Sequence, residues 1–303
     1  MKLFLRAFLL SLFLLPVGCI SEDTAGKGDL ALVVGGGRAL QVGFPHNEGN
    51  VELAFVDGWS MEFTKYVVVI GDVVLRDPAS GRIAGEFLEP VGLDLRAGGG
   101  ADADLGEISG LPAKRLDIEF SFLEATMDAE NRNVDPDDWD RMVRDGLSYL
   151  IEGVATRDGT SIRFSLGLSV AAHYHDCING IDGTKGIAIQ SNKTIGAFIY
   201  AHAVHLFWDT LAAGGEKLRF DAFAAVADED GVVTEEDLVL QDLTDLRDAN
   251  GQPLRDANGN RVYYNDGGLL PLDSLNLRAF VEYAARSGVH FNGVGLCLVE
   301  SLE

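Results

Sequence analysis

The chain is 303 residues long and 47% hydrophobic, and it carries 47 Asp and Glu against 24 Lys and Arg, a net charge of −23. A chain this acidic repels nucleic acid and anionic lipid headgroups and draws cations to itself, which excludes nucleic acid as a partner. Its length suits one large β domain or two small ones.

The opening, MKLFLRAFLLSLFLLPVG, sets Lys2 and Arg6 before an apolar run from Ala7 to Leu15 and then small residues, the layout of a secretory signal over residues 1–18. The run falls short of the roughly 20 residues that span a bilayer as a helix. LLPVGC, Leu14 to Cys19, resembles the lipobox of bacterial lipoproteins, in which the cysteine is lipidated and becomes the first residue. Pro16 departs from the usual aliphatic there; Gly18 and Cys19 fit. The implied address is the bacterial cell envelope, with the membrane as partner through the Cys19 lipid and residues 19–28 as a polar tether. Ile20, where an acid is absent, resembles sorting to the outer membrane of a Gram-negative host. Removal of residues 1–18 leaves 22 cations against 47 acids, a net charge of −25. With Cys19 taken by lipid, Cys177 and Cys297 are an even pair in an oxidising setting and are expected to form a disulfide, the alternative being two buried thiols.

Beyond the tether the chain is rich in strands. LALVV from Leu30, VELAFV from Val51 and MEFTKYVVVIGDVVL from Met61 come first, and RLDIEFSF then alternates strictly, with Leu116, Ile118, Phe120 and Phe122 on one face and Asp117, Glu119 and Ser121 on the other. GLSYLIEGVATR from Gly146 is another. TSIRFSLGLSVAAHYH alternates for longer, putting Ile162, Phe164, Leu166, Leu168 and Val170 on one face and Ser161, Arg163, Ser165, Ser169, His173 and His175 on the other. TIGAFIYAHAV from Thr194 completes the set, and Gly-containing turns such as Asp158-Gly159 separate the strands. The fold class is mainly β, an antiparallel β-sandwich or barrel-like core with a few peripheral helices.

Those helices have marked ends. DPDDWDRMV offers Asp135 as N-cap and Pro136 at the first helical position, and DSLNLRAFVEYAARSG runs from Asp273 to Gly288. Between them, EKLRFDAFAAVA from Glu216 and TEEDLVLQDL from Thr234 flank VADEDGVVTEED, which has the outline of an EF-hand. Gly231 at position 6 places Asp228, Asp230, Val232, Thr234 and Asp237 as calcium ligands, but position 1 is Val226 and position 12 the short Asp237. A degenerate EF-hand-like helix-loop-helix is therefore expected, with weak calcium binding or none, inside a helical insert at about 216–246. The tandem LRDANGQPLRDANGN reads first as two tight turns, whose acids are also able to ligate calcium.

The order of WSMEFTKYVVVIGDVVL from Trp59, GLPAKRLDIEFSF from Gly110, LSYLIEGVATRDGTSIRFSLG from Leu147 and HLFWDTL from His205 resembles the MbnP-like copper-binding lipoproteins of bacteria, over roughly Val51 to Leu211. That resemblance implies a β-sandwich, copper as cofactor, and a role beside a di-haem enzyme in methanotrophs. Where the family tends to show Phe-His-Leu-Gly, this chain has Phe164-Ser165-Leu166-Gly167, which lacks that ligand. The acidic insert and the terminal helix and strand look more like an uncharacterised group of exported lipoproteins.

Five of the six histidines follow residue 172. His173 and His175, two apart on a strand, share a face and are able to chelate a metal with a third ligand from a neighbour. His202 and His205 face opposite ways on a strand but become neighbours if the chain turns helical. Asp176, Asp209 or His290 are candidate additions, and imidazole suits copper or zinc. The bland alternative is separate histidines, each hydrogen-bonded, with Phe207 and Trp208 as core anchors. No Gly-x-Ser-x-Gly, His-Glu-x-x-His or Cys-x-x-Cys occurs, and Val33 to Leu40, VVGGGRAL, lacks what a dinucleotide site needs, so an enzyme ranks last, although carboxylates paired in space would serve a hydrolase. The expectation is one β-rich domain over 29–303, an envelope-anchored binding protein for copper or zinc. Its rival is a surface interaction or structural lipoprotein with no essential transition metal and calcium at most in its acidic loops. The residues name no protein partner.

Overall fold

The computed structural model describes residues 26–302. The signal, Cys19 and most of the tether lie outside the described residues. Eleven strands position the site: β1 (Lys27–Gly35), β2 (Ser60–Arg76), β3 (Ala103–Pro112), β4 (Arg115–Phe122), β5 (Tyr149–Arg157), β6 (Thr160–Leu168), β7 (Ala172–His175), β8 (Thr194–Ala201), β9 (Val232–Thr234), β10 (Val289–Phe291) and β11 (Leu298–Ser301), with helices α1 (Pro136–Asp145) and α2 (Leu277–Ser287).

Among the described residues there are two main sheets. The smaller has the order β10-β8-β1-β3, and the main path of the larger is β9-β6-β5-β2-β4-β7-β11. Along these two orders pairing is antiparallel except between β1 and β8 and between β6 and β9. The inner faces share one core: Leu30, Leu32 and Val34 of β1 join Phe63 and Ile70 of β2, Phe120 and Phe122 of β4, and Phe164 and Leu166 of β6. This is the sandwich expected, with parallel pairs where distant segments meet, which side-chain alternation does not encode.

Strand β2 explains its own continuous apolar run. Val67 and Val69 point away from the main core and are covered by Met142, Trp139 and Val143 of α1, so Val67, Val68, Val69 and Ile70 are all fully buried. Helix α1 starts as its caps dictate: the Asp135 side chain accepts the Asp137 N–H, Pro136 opens the first turn, and Gly146 closes it in the left-handed conformation with φ 63°. Helix α2 begins four residues later than expected, because Asn276 accepts the Ala279 N–H as its cap. Among the described residues no helix is long and apolar enough to cross a membrane.

Two expectations are corrected. The long alternating stretch Thr160–His175 is two strands: β6 pairs with β5, and β7 pairs across the sheet with β4 and β11. The alternation survives the break, so Ala172 and Tyr174 are buried while His173 and His175 face outward. The expected helix-loop-helix is instead a four-residue helix Asp221–Ala224, a turn, strand β9 beside β6, and a 3-10 turn Asp237–Leu240. Pairing with the Arg163–Ser165 backbone draws Val232–Thr234 into the sheet, and the flanking segments stay too short to build an EF-hand.

Candidate metal centre

The small sheet ends in a turn that gathers three histidines. Strand β8 stops at Ala201, and a 3-10 turn over Ala203–Phe207 follows, with His202 at its N-cap and His205 within it. The turn is the helical alternative that makes positions 202 and 205 neighbours. His290 arrives on β10, which lies antiparallel to β8 with Tyr200 opposite His290. The His202 N–H donates to the Gly288 carbonyl at 3.0 Å, locking the start of the turn to the end of α2. Glycine is required at two places here. A Cβ on Gly37, whose φ is +78°, would stand 3.1 Å from Nδ1 of His202, and one on Gly288 would stand 3.0 Å from Cβ of His205. Gly37, the last of the three glycines at the end of β1, thus backs a histidine.

Ring centroids are 4.9 Å apart for His202 and His290, 5.1 Å for His205 and His290, and 5.9 Å for His202 and His205. A metal about 2 Å from an imidazole nitrogen lies ~3.2 Å from the ring centroid, so two rings on one tetrahedral ion have centroids about 5 Å apart. Both pairs that include His290 match that spacing, and the His202–His205 pair is wider. Nε2 of His202 and Nδ1 of His290 are buried with no hydrogen-bond partner. Leaving such a group unmatched costs roughly 1–3 kcal/mol, so two in one cluster call for a ligand. Trp208 lies on His205 with centroids 3.8 Å apart. A pocket of about 230 Å³, lined by His205, Trp208, Thr210, Glu216, His290 and Leu296, opens onto the two rings.

Burial holds all three rings neutral. Desolvation, followed by the neighbouring His290 and His202, pushes His205 down to about 3; desolvation and then His202 push His290 down to about 4; and burial lowers His202 as well. The nearby Gly293 backbone acts in the opposite sense on His202 and His290. Neutral imidazole is the form that ligates. In the unfolded chain a histidine takes its proton near pH 6.5, so the folded state's advantage is complete above that pH and is lost as pH falls toward 4. Urea midpoints of chelator-treated protein should drop from pH 7 to pH 5, by up to ~1.4 kcal/mol per pH unit for each ring. The His205→Gln/His290→Gln variant should show a flatter slope, and an equal slope in both proteins would count against buried neutral rings.

His173 and His175 do not join the triad: they sit on β7 of the other sheet, with their own ring centroids 5.6 Å apart. Asp176 accompanies His175 at 3.0 Å. Asp209 is taken by Arg219 at 2.8 Å and by the Lys217 N–H. Among the described residues no three His, Cys, Asp or Glu side chains form a ready-made ligand set, so ring rotation has to bring the nitrogens onto an ion.

Two of the expected calcium ligands, Asp228 and Asp237, accept hydrogen bonds from within their own turns. Oδ1 of Asp228 accepts the N–H groups of Asp230 and Val232, and Oδ2 of Asp237 accepts both the N–H and the hydroxyl of Thr234. Asp248 and Asp256 of the tandem do as Asp228 does, each accepting the N–H groups two and four residues on. All three Asp-x-Asn/Asp-Gly stretches are therefore the same Asp-centred turn. A cleft of about 710 Å³ lies beside the tandem and includes Trp59, Arg157, Asp221 and Arg255. Arg157 there stacks over Trp59 and pairs with Asp221, leaving its polar groups matched.

Sequence reasoning missed Gly37, Gly288 and the pocket residue Glu216, because each matters through a contact made across the fold. No protein-family model, curated protein or solved structure matches the chain.

Proposed function

We propose that the protein is a transition-metal-binding protein of the bacterial envelope, anchored through Cys19, whose metal is copper or zinc held by His202, His205 and His290. The observation that carries this reading is the pair of buried, unpartnered nitrogens, Nε2 of His202 and Nδ1 of His290, inside a cluster of three imidazoles whose centroids lie 4.9 to 5.9 Å apart. Three neutral ligands in a desolvated setting favour the cation of lower charge, since a buried divalent ion without an anionic ligand is costly. Cuprous copper is the ion that best meets that condition, in line with what the resemblance of the strand order implies. The pocket beside Trp208 leaves room for a small fourth ligand or for exchange with a partner.

Purified mature protein should take up one equivalent of cuprous copper at this centre. The His202→Ala/His290→Ala variant should lose that equivalent, and the His173→Ala/His175→Ala variant should keep it. Metal content after gel filtration reads the result. A wild-type chain whose melting temperature is unmoved by copper and which retains none would remove this reading in favour of a metal-free surface module.

A further inference from the structure

We propose that β7 carries a second, separate site for a divalent transition ion of the zinc type, formed by His173 and His175 with Glu119 of β4 and Glu300 of β11. It does not depend on the buried triad: the residues, the sheet and the electrostatics are all different.

Strand β7 lies between β4 and β11, with His173 opposite Ser121 on one side and Glu300 on the other. Alternation puts His173 and His175 on the outer face, and Glu119 projects there from two residues before Ser121. Each ring has its Nδ1 occupied. Oγ of Ser121 stands 3.1 Å from Nδ1 of His173, and Oδ2 of Asp176 stands 3.0 Å from Nδ1 of His175. Asp176 is steadied in turn by Lys185 at 2.6 Å. Partners of this kind on the far nitrogen are what orient metal-ligating histidines and leave Nε2 free to bind.

Both Nε2 atoms face a carboxylate. That of His173 is 3.6 Å from Oε2 of Glu119, and that of His175 is 3.4 Å from Oε1 of Glu300. These gaps exceed a good hydrogen bond of about 2.9 Å. Two ligands each ~2.05 Å from a tetrahedral ion are about 3.4 Å apart; the His175 gap matches that and the His173 gap is slightly wider, and since the four side chains are not a ready-made ligand set, small side-chain rotations have to close them on the ion. Glu119 is partly neutralised through its other oxygen, Oε1, which Arg76 engages, so Oε2 remains available. The ring centroids, 5.6 Å apart, are near the value for two imidazoles on one such ion.

Charge sets the identity of the ion. Two carboxylates match the charge of a divalent cation, and a mixed imidazole and carboxylate set suits zinc and its tetrahedral analogue cobalt. The triad has no such anion among its three rings and takes the monovalent ion instead. The chain would then sort two metals by charge.

Chelator-stripped full-length mature protein is titrated with cobalt(II), followed by visible absorption, and then with zinc(II), which displaces it. The wild type should show the intense bands of tetrahedral cobalt at one equivalent. His173→Ala/His175→Ala should abolish them. Glu119→Gln and Glu300→Gln should each weaken zinc by at least about tenfold, the loss that even an outer-sphere partner causes. Glu300 is 69% exposed, so its variant should fold normally. His202→Ala/His290→Ala should leave the cobalt spectrum intact while losing copper, which separates failure of one site from failure of the other. Absence of saturable cobalt or zinc binding by the wild type, or binding unchanged in the His173→Ala/His175→Ala variant, overturns the proposal.

Discussion

Replacing Phe207 by alanine is expected to cost about 3–5 kcal/mol of stability, the range for removing a buried aromatic ring, and to release copper from the triad. Phe207 is fully buried, and its ring centroid lies 5.3 Å from Phe223, 5.7 Å from Phe55, 5.8 Å from Phe164, 6.1 Å from Phe220 and 6.2 Å from Phe63. Phe55 and Phe164, from distant parts of the chain, meet the ring edge-on, and such pairs add about 0.5–1.5 kcal/mol each beyond area burial. The residue also closes the 3-10 turn that bears His205. A cavity there removes both the packing and the fixed base on which His205 stands. Urea unfolding should show a lower midpoint with an unchanged slope. As a control, Leu240→Ala, at a residue 72% exposed, should stay within about 0.5 kcal/mol of wild type. A Phe207→Ala loss no larger than the control would mean that the aromatic cluster does not hold the turn.

The second large effect is expected from Cys177→Ala/Cys297→Ala. The two cysteines are joined by a disulfide across a sequence separation of 120 residues, and in the loop-entropy account closing a loop of that length stabilises by about 4–5 kcal/mol. At roughly 2–4 °C per kcal/mol for a domain of comparable size, the melting temperature should fall by about 10 °C or more. Position gives the bond a further consequence. Cys177 follows His175 by two residues, and Cys297 lies between His290 and Glu300, so the bond ties the C-terminal segment to the end of β7. Zinc affinity at the proposed β7 site should therefore weaken with the bond reduced, whereas uptake of copper at the proposed triad under α2 should be kept. A melting temperature within about 2 °C of wild type would show that the 120-residue separation overstates the entropy lost from the unfolded chain.

Local rules were enough for a good part of this architecture. The alternation of Leu116, Ile118, Phe120 and Phe122 marks β4 because a pleated strand with one face in a core can take no other period. Asp135 and Pro136 mark the start of α1 because each satisfies a backbone requirement within its own turn, whereas Gly146, read as the start of a strand segment, also closes the helix. The disulfide partners came from counting. The helix-loop-helix failed for a related reason: Gly231 and its neighbouring acids specify a turn, and an Asp-centred turn satisfies that chemistry without helices on either side.

The candidate ligands divide in the same way. Composition alone pointed at the late histidines, and the two-residue spacing of His173 and His175 put them on one face. That Glu119 and Glu300 flank them depends on β4 and β11 pairing with β7. The triad depends on more still: the end of β8 at Ala201, the turn after it, and the antiparallel return of β10 beside Tyr200. By itself, then, the amino-acid sequence determined the acidity, the β class, the cysteine pair and the residue types able to bind metal, because each of these is set by composition or by contacts within a few residues. Tertiary structure alone decided which histidines meet, which stay neutral and which have carboxylates for company, because burial and long-range strand pairing are properties of the whole fold.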